Sequence, residues 1–217
     1  LATSSAASDV YKRQVLEESG SEYLLGKIMA SATVPGLILA IFAGVIIDKV
    51  NRKWLLVSLD IFRLIVVSVF LYFISKFNFE VSFLYPVAFF MGLGNSLFWP
   101  TAQAFVQELV SEKDYFNANK LLSASYQVGS IFGAGVGGLV VHAYSPIVAL
   151  WINILTYIVS AIFISLAPFK RKNLYTEEKS LFDLIMKGFS YLKKRIDVLI
   201  LGLTTILSDV AIWGSLS

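Results

Sequence analysis

The chain has 217 residues, of which 57% are hydrophobic and only 15% are charged, whereas about a quarter of the residues in an average soluble domain are charged. Cysteine is absent and there is one histidine, which excludes a disulfide framework, a thiolate metal site and a histidine metal cluster. The net charge of +3 does not indicate nucleic-acid binding, because the basic residues flank apolar blocks and form no basic, aromatic-rich surface stripe.

The first residues differ in composition from the rest of the chain. Residues 1–14 are small, polar and rich in serine and alanine. They do not form a signal peptide, because no apolar stretch follows Lys12 and Arg13. We interpret residues 1–14 as a non-native extension and expect the fold to begin at residue 15.

Long apolar blocks dominate the remainder. A membrane-spanning helix needs about 20 mostly apolar residues, and its backbone polar groups must be paired within the segment. The pattern therefore predicts an all-α, polytopic membrane bundle. Six segments qualify as spans: Leu24–Ile47, Trp54–Ser75, Val81–Val106, Ala118–Ala143, Ile147–Pro168 and Val198–Ser217. The fourth is the most polar, and its alternative interpretation is a soluble amphipathic helix.

The loop after the first span carries the most specific motif. The motif begins with Gly44, and after three further residues come an acid and a base, Asp48 and Lys49. After two more residues come two bases, Arg52 and Lys53. The spacing resembles the signature loop of the major facilitator superfamily. The resemblance implies a latch between the two halves of a transporter in its outward-open state. A plain basic loop is the alternative.

The second span contains an acid and a base three residues apart, Asp60 and Arg63, near its predicted cytoplasmic end. Residues at this spacing can form an ion pair on a helix, and charges inside a membrane are costly and usually functional. We expect either a gating or coupling pair, or a structural pair that snorkels to the interface.

Polar and aromatic residues recur on single faces of the third, fourth and fifth spans. Such rows indicate a central cavity for an amphipathic solute, although an aromatic stripe can also serve only for packing. The candidates are Asn95, Trp99 and Gln103 on the third span, Asn119, Ser123 and Gln127 on the fourth, and Asn153, Tyr157 and Ser160 on the fifth.

The fourth span also has a glycine-rich run that includes Gly129, Gly133, Gly137 and Gly138. Small residues four apart let helix backbones approach closely in lipid, so we expect helix packing there. The run resembles the glycine-rich fifth-helix motif of major facilitator exporters, although Ala134 stands where that motif usually has proline. If the resemblance holds, one helix of the family precedes the first predicted span.

Beyond the fifth span, Leu181–Arg195 has apolar residues at helical spacing and ends in three basic residues. It predicts an interfacial helix within a cytoplasmic linker over residues 170–196, with a solvated linker as the alternative. The last span, residues 197–217, contains Asp209, which is either a coupling carboxylate or a residue outside a misplaced boundary.

Basic residues set the orientation, because cytoplasmic loops are enriched in Lys and Arg. The loops after the first, third and fifth spans hold nearly all of them, whereas the other side holds only Lys27 and Lys76. We therefore place the loops with Lys49–Lys53 and Lys170–Arg195 in the cytoplasm, and expect a missing first helix and an incomplete second half.

A third resemblance covers Phe98–Ala102 and Asn117–Leu121, which look like the macrolide-efflux and siderophore-exporter branch of the superfamily. It implies a proton-driven exporter of drug-like or siderophore-like solutes in a bacterial cytoplasmic membrane, monomeric, with family helices 2 to 6 at residues 15–169 and helix 7 at 197–217. A lipid or lysophospholipid carrier and a non-transporting membrane scaffold are the alternatives.

Enzymatic chemistry is not expected. The sequence has no nucleophile–base pair and no metal-ligand spacing, and its glycine run lacks the lysine and hydroxyl residue of a phosphate-binding loop. We predict no cofactor, no metal, no nucleotide and no nucleic acid; the expected partners are the lipid bilayer, a small solute and the proton.

Overall fold

A computed structural model describes residues 22–77 and 80–168 and the separate residues 186, 190, 195–197, 200 and 204, and the two long ranges contain five long helices. The helices are α1 (Glu22–Lys49), α2 (Arg52–Lys76), α3 (Leu84–Leu109), α4 (Tyr115–Ala143) and α5 (Pro146–Leu166). Single 3-10 turns, Val81–Phe83 and Glu112–Asp114, precede α3 and α4. No strand occurs in these ranges, and the predicted all-α class is confirmed.

Among the residues that the structure describes, four helical segments are long and apolar enough to cross a membrane: Arg52–Lys76, Val81–Leu109, Glu112–Ala143 and Pro146–Leu166. A fifth is formed if Gly26–Leu39 and Phe42–Lys49, which meet at 62°, constitute one broken span. The chain is therefore an integral, multi-pass membrane protein. The second to fifth predicted spans coincide with these helices, whereas the bend in the first was not foreseen.

Side-chain caps fix two of the helix starts. The Asn51 side chain accepts a hydrogen bond from the backbone N–H of Trp54 at 3.3 Å, and Ser145 does the same for Val148 at 3.3 Å. Each cap satisfies one of the backbone donors that a helix start leaves unpaired. The short connections α1–α2 and α4–α5 therefore end in defined helix starts.

The most extensive contacts pair α1 with α3, α2 with α5, and α2 with α3. The α1–α3 contact is close because Gly92 has no side chain: a Cβ there would overlap the carbonyl group of Ala32. Glycine permits such backbone approach between helices in lipid. By contrast, α4 contains no buried residue.

Two apolar clusters form the interior of the described helices α1 to α5. One lies toward the end of the bundle that includes the start of α3, and it contains Ile28, Val67, Phe70, Leu71, Leu84, Leu150, Ile154 and Tyr157. The other lies toward the α1–α2 loop, and it contains Ala43, Ile47, Leu56, Leu59, Leu97, Phe98, Ala102 and Phe105. A layer of polar side chains occupies α2 between them.

The chain divides into two compact units, residues 1–173 and 174–217. The second unit contributes few described residues; among them, Arg195 forms an exposed ion pair with Asp197 at 2.8 Å. The predicted non-native extension at residues 1–14, most of the predicted interfacial helix Leu181–Arg195, and Asp209 lie outside the described residues.

Candidate functional site

The polar layer is centred on Asp60 and Arg63, whose side chains are each 1% exposed. An Arg63 Nη2–H donates to Asp60 Oδ1, and Arg63 Nε–H donates to the carbonyl of Leu59 at 3.2 Å. The expected ion pair at this spacing is therefore present. Neither side chain reaches the bundle surface, so the pair does not extend to the interface in this structure; a gating or coupling role and a structural role both stay predictions.

Hydrogen bonds from this pair reach two other helices. Arg63 Nη1–H donates to Asn95 Oδ1 on α3 at 3.1 Å. The hydroxyl of Ser160 on α5 donates to Asp60 Oδ2 at 2.7 Å. Both carboxylate oxygens and all three guanidinium nitrogens thus have partners, as burial of an ion pair requires. The layer connects α2, α3 and α5.

Aromatic rings lie on the Arg63 guanidinium, whose carbon is 4.1 Å from the ring centroid of Phe98 and 4.9 Å from that of Tyr157. Arginine is attracted to ring faces, more strongly where water is excluded. Space for the Arg63 side chain depends on Gly94, since a Cβ at that position would lie 2.8 Å from Arg63 Cγ. Residues of α3 and α5 therefore enclose the guanidinium group of Arg63, which α2 contributes to the polar layer.

Two buried polar groups on α5 are the most poorly paired in the polar layer. The side-chain amide of Asn153 and the hydroxyl of Tyr157 make no hydrogen bond of normal length within the described part of the chain. Both side chains are buried and lie one turn apart, and Tyr157 belongs to the apolar cluster that contains Ile28. An unpaired buried polar group costs about 1–3 kcal/mol, so these are the least satisfied positions of the polar layer.

A second network lies in the loop with the signature motif. Arg52 Nη2–H donates to Asp48 at 3.0 Å, and Arg52 Nη1–H donates to Glu108 at the end of α3 at 2.7 Å. Nη1 also lies 3.4 Å from the carbonyl of Ala104. The Arg52 side chain is 13% exposed, whereas Asp48 is 72% exposed. Arg52 therefore anchors the loop, and the outer face of the Asp48 carboxylate remains accessible.

Sequence reasoning missed Glu108. Its carboxylate is nearly buried against Arg52. The signal in the sequence was an acidic residue at the very end of an apolar span, on the side where the basic loop also lies.

The remaining residues of the signature motif differ in their surroundings. Lys53 Nζ donates to the carbonyl of Ala167 at 2.8 Å, Lys49 is exposed, and Gly44 has no atom within 4 Å of where a Cβ would stand. No described helix therefore approaches Gly44 closely.

The predicted cavity residues do not share one surface. Asn95 and Ser160 belong to the polar layer, Asn153 and Tyr157 are buried beside it, and Trp99 packs against Tyr126 of α4 with ring centroids 4.8 Å apart. Tyr126 was not predicted. The remaining four are more open to the surroundings: Gln103 and Asn119 are half-buried, and Ser123 and Gln127 are exposed.

The glycines of the run on α4 also differ in how exposed they are. Gly129, Gly133 and Gly137 are half-buried, whereas Gly138 is exposed, and a Cβ added to Gly138 would meet no atom within 4 Å. Gly138 thus has no close helix neighbour among the described residues, although we expected it to pack.

An apolar groove lies between α2 and α3, with a volume of about 380 Å³. Its lining includes no polar side chain, so it offers a solute no hydrogen bond or ion pair. The residues are Phe62, Ile65, Val66, Val69, Phe70, Phe73, Phe83, Pro86, Val87 and Phe90. Within residues 22–77 and 80–168, no group of three acidic or histidine side chains is placed to hold a metal ion.

Comparison with known proteins gives relatives that are named as transporters. The chain is 27% identical over 188 residues to the putative bacilysin exporter BacE of Bacillus amyloliquefaciens, covering 86% of this chain and 46% of the relative. It is 26% identical over 182 residues to the uncharacterized MFS-type transporter YfiS of Bacillus subtilis, covering 82% and 42%. The chain thus spans less than half the length of these relatives.

A family model described as transmembrane secretion effector matches residues 14–216, nearly the whole chain. This match and the transporter relatives agree with the motif in the α1–α2 loop and with the membrane-length helices of the bundle. The chain therefore belongs to the transmembrane secretion effector family of major facilitator transporters.

Proposed function

We propose that the protein containing this chain is a secondary exporter of small amphipathic solutes, drug-like or siderophore-like, that works by alternating access in a bacterial cytoplasmic membrane. The family match and the relatives named as exporters support a transport role. Carriers of this kind bind their solute near the bilayer midplane and rock two halves around it. The lipid bilayer, the solute and the proton are its partners, and it acts as a monomer.

One observation carries this proposal: the α1–α2 loop is fixed to its own bundle while Asp48 stays open. Arg52 binds Glu108 at 2.7 Å and is almost buried, whereas the Asp48 side chain is 72% exposed. A carboxylate held in place at a helix end can accept hydrogen bonds from the N-terminus of a helix in another part of the protein. Such a contact is a latch that forms in one state and breaks in the other.

Proton antiport drives export in this proposal, and within the described residues Asp60 is the intramembrane carboxylate that can carry the proton. Protonation of Asp60 would remove the charge that balances Arg63 and would weaken the hydrogen bond from Ser160 that links α5 to α2. Asp209 is the second candidate and lies outside the described residues. The polar rows Asn95–Gln103 and Asn119–Gln127 contribute to the solute pathway.

The test uses everted membrane vesicles from cells that express the protein, energised to be acidic inside. We expect accumulation of bacilysin or of a fluorescent amphipathic cation that collapses when a protonophore removes the pH gradient. Asp48→Ala should reduce the initial rate severalfold at equal amounts of inserted protein. Lys113→Ala is the matched control, since Lys113 is exposed on the same side and makes no hydrogen bond or ion pair in the described structure.

Three outcomes would contradict parts of the proposal. Equal rates for Asp48→Ala and the parent protein would remove the latch. Accumulation that persists without a pH gradient would remove proton antiport. Transfer of a labelled lysophospholipid, with neither of the two solutes moved, would favour the lipid-carrier alternative.

A further inference from the structure

The two adjacent basic residues at the start of α2 bind the ends of two different helices. Arg52 reaches α3, where it binds Glu108 and approaches the carbonyl of Ala104. Lys53 reaches α5, where its Nζ donates to the carbonyl of Ala167 at 2.8 Å. Lys53 and Ala167 are 114 positions apart in the sequence, so their hydrogen bond joins distant parts of the chain.

The Lys53 contact satisfies a group that the helix cannot satisfy itself. Ala167 is the C-terminal cap of α5: its N–H still bonds to the carbonyls of Phe163 and Ile164, but its backbone turns away with φ −58° and ψ 130°. The last carbonyls of a helix have no partner within the helix and carry partial negative charge. A lysine ammonium supplies both a donor and a positive charge at that point.

Apolar packing supports this contact on both sides. Leu56, one turn after Lys53, is buried in the apolar cluster toward the α1–α2 loop, and Ala167 and Ile164 pack against the same cluster. The Lys53 side chain is half-buried, and its ammonium lies 5.7 Å from the ring centroid of Trp54. Lysine commonly buries its stem along apolar surface in this way while its charge reaches a polar group.

We infer that Lys53 is a positioning residue that ties the C-terminal end of α5 to the α1–α2 loop. The loop that presents Asp48 and the point where the chain leaves α5 then move as one body. This inference deepens the proposed function, because a latch can pull on α5 only if the loop and the end of α5 are connected. Lys53 thus has a role separate from that of the exposed Lys49 in the same motif.

The lack of cysteine allows a direct distance measurement. Spin labels at Val50→Cys and Leu166→Cys, both exposed positions, report the separation of the loop from the end of α5 by pulsed electron paramagnetic resonance. We expect Lys53→Met to give a longer and broader distance distribution. Lys53→Arg should restore most of the parent distribution, and Lys113→Met, which removes the same charge from an exposed site, should leave it unchanged.

A second measurement needs no substitution at Lys53. Amine acetylation of the membrane-embedded protein, followed by mass spectrometry, should modify Lys53 severalfold more slowly than Lys113. Unchanged distance distributions in Lys53→Met, or equal acetylation of the two lysines, would overturn the inference. The transport assay is separate: a lengthened distance with unaltered solute flux would keep the positioning role and count against the proposed latch.

Discussion

At the scale of single residues, the arrangement around Arg63 determines how a full positive charge is held inside the bundle. A buried ion pair is tolerated only when geometry and additional hydrogen bonds offset the loss of solvation. Here Asp60, Asn95 and the Leu59 carbonyl accept from the guanidinium, and Phe98 and Tyr157 cover its faces. The pair is therefore one interdependent unit, and its parts cannot be removed singly without leaving a buried charge.

This predicts that Asp60→Asn destabilises the protein more than removal of the whole pair. Asp60→Asn leaves Arg63 uncompensated, which costs about 3–5 kcal/mol, whereas the double variant Asp60→Asn, Arg63→Met should recover most of that loss. The free energy of unfolding, measured by titration with a denaturing detergent, checks both. Asp48→Asn is the control, since Asp48 is exposed, Arg52 keeps its bond to Glu108, and ion pairs with an exposed member contribute about 0–1 kcal/mol.

A double variant no more stable than Asp60→Asn alone would show that Arg63 is not the source of the cost.

Spacing predicted this pair, because residues three apart meet on any helix. Spacing could not identify Ser160 as a partner of Asp60 across 100 positions, or Glu108 as a partner of Arg52 across 56. Those contacts depend on which helices are neighbours, and a single sequence does not carry that information.

At the scale of helices, two glycines show the difference between a close helix contact and an open helix face. Gly92 allows the backbones of α1 and α3 to approach so closely that a Cβ would come within 3.0 Å of the Cα of Ala32. Gly138 on α4 has nothing near it in the described structure. The sequence singled out the glycines of α4, because they recur every four residues, and missed Gly92, which is not part of such a repeat.

We expect Gly92→Ala to push α1 and α3 apart and to lower the free energy of unfolding by about 1–3 kcal/mol, the usual cost of overpacking. Gly138→Ala should change it by less than about 0.5 kcal/mol. Detergent titration of the two variants side by side measures the difference. Equal stabilities would mean that the α1–α3 contact is looser than the structure shows.

Helix boundaries were more predictable than helix contacts. The predicted second span, Trp54–Ser75, lies within α2, which runs from Arg52 to Lys76, because apolar length in lipid leaves few alternatives to a helix. The bend of 62° between Leu39 and Phe42 was not predicted, although Pro35 lies inside α1 about one turn earlier and proline is a common cause of helix kinks.

At the scale of the whole molecule, the account depends on how the bundle is oriented in the membrane. The signature-loop network and the Lys53 contact both lie at the α1–α2 loop, where Asp48, Arg52 and Lys53 gather. The latch and the Lys53 tie have their proposed meaning only if this end is cytoplasmic. The excess of Lys and Arg in the loops at this end favours that orientation.

Labelling of single cysteines with a membrane-impermeant maleimide tests this most directly. Val50→Cys lies in the loop and Tyr144→Cys lies between α4 and α5, and both positions are exposed. In intact spheroplasts we predict that only Tyr144→Cys is labelled, with Val50→Cys labelled after the membrane is permeabilised. Labelling of Val50→Cys in intact spheroplasts would place the loop outside the cell and contradict the account.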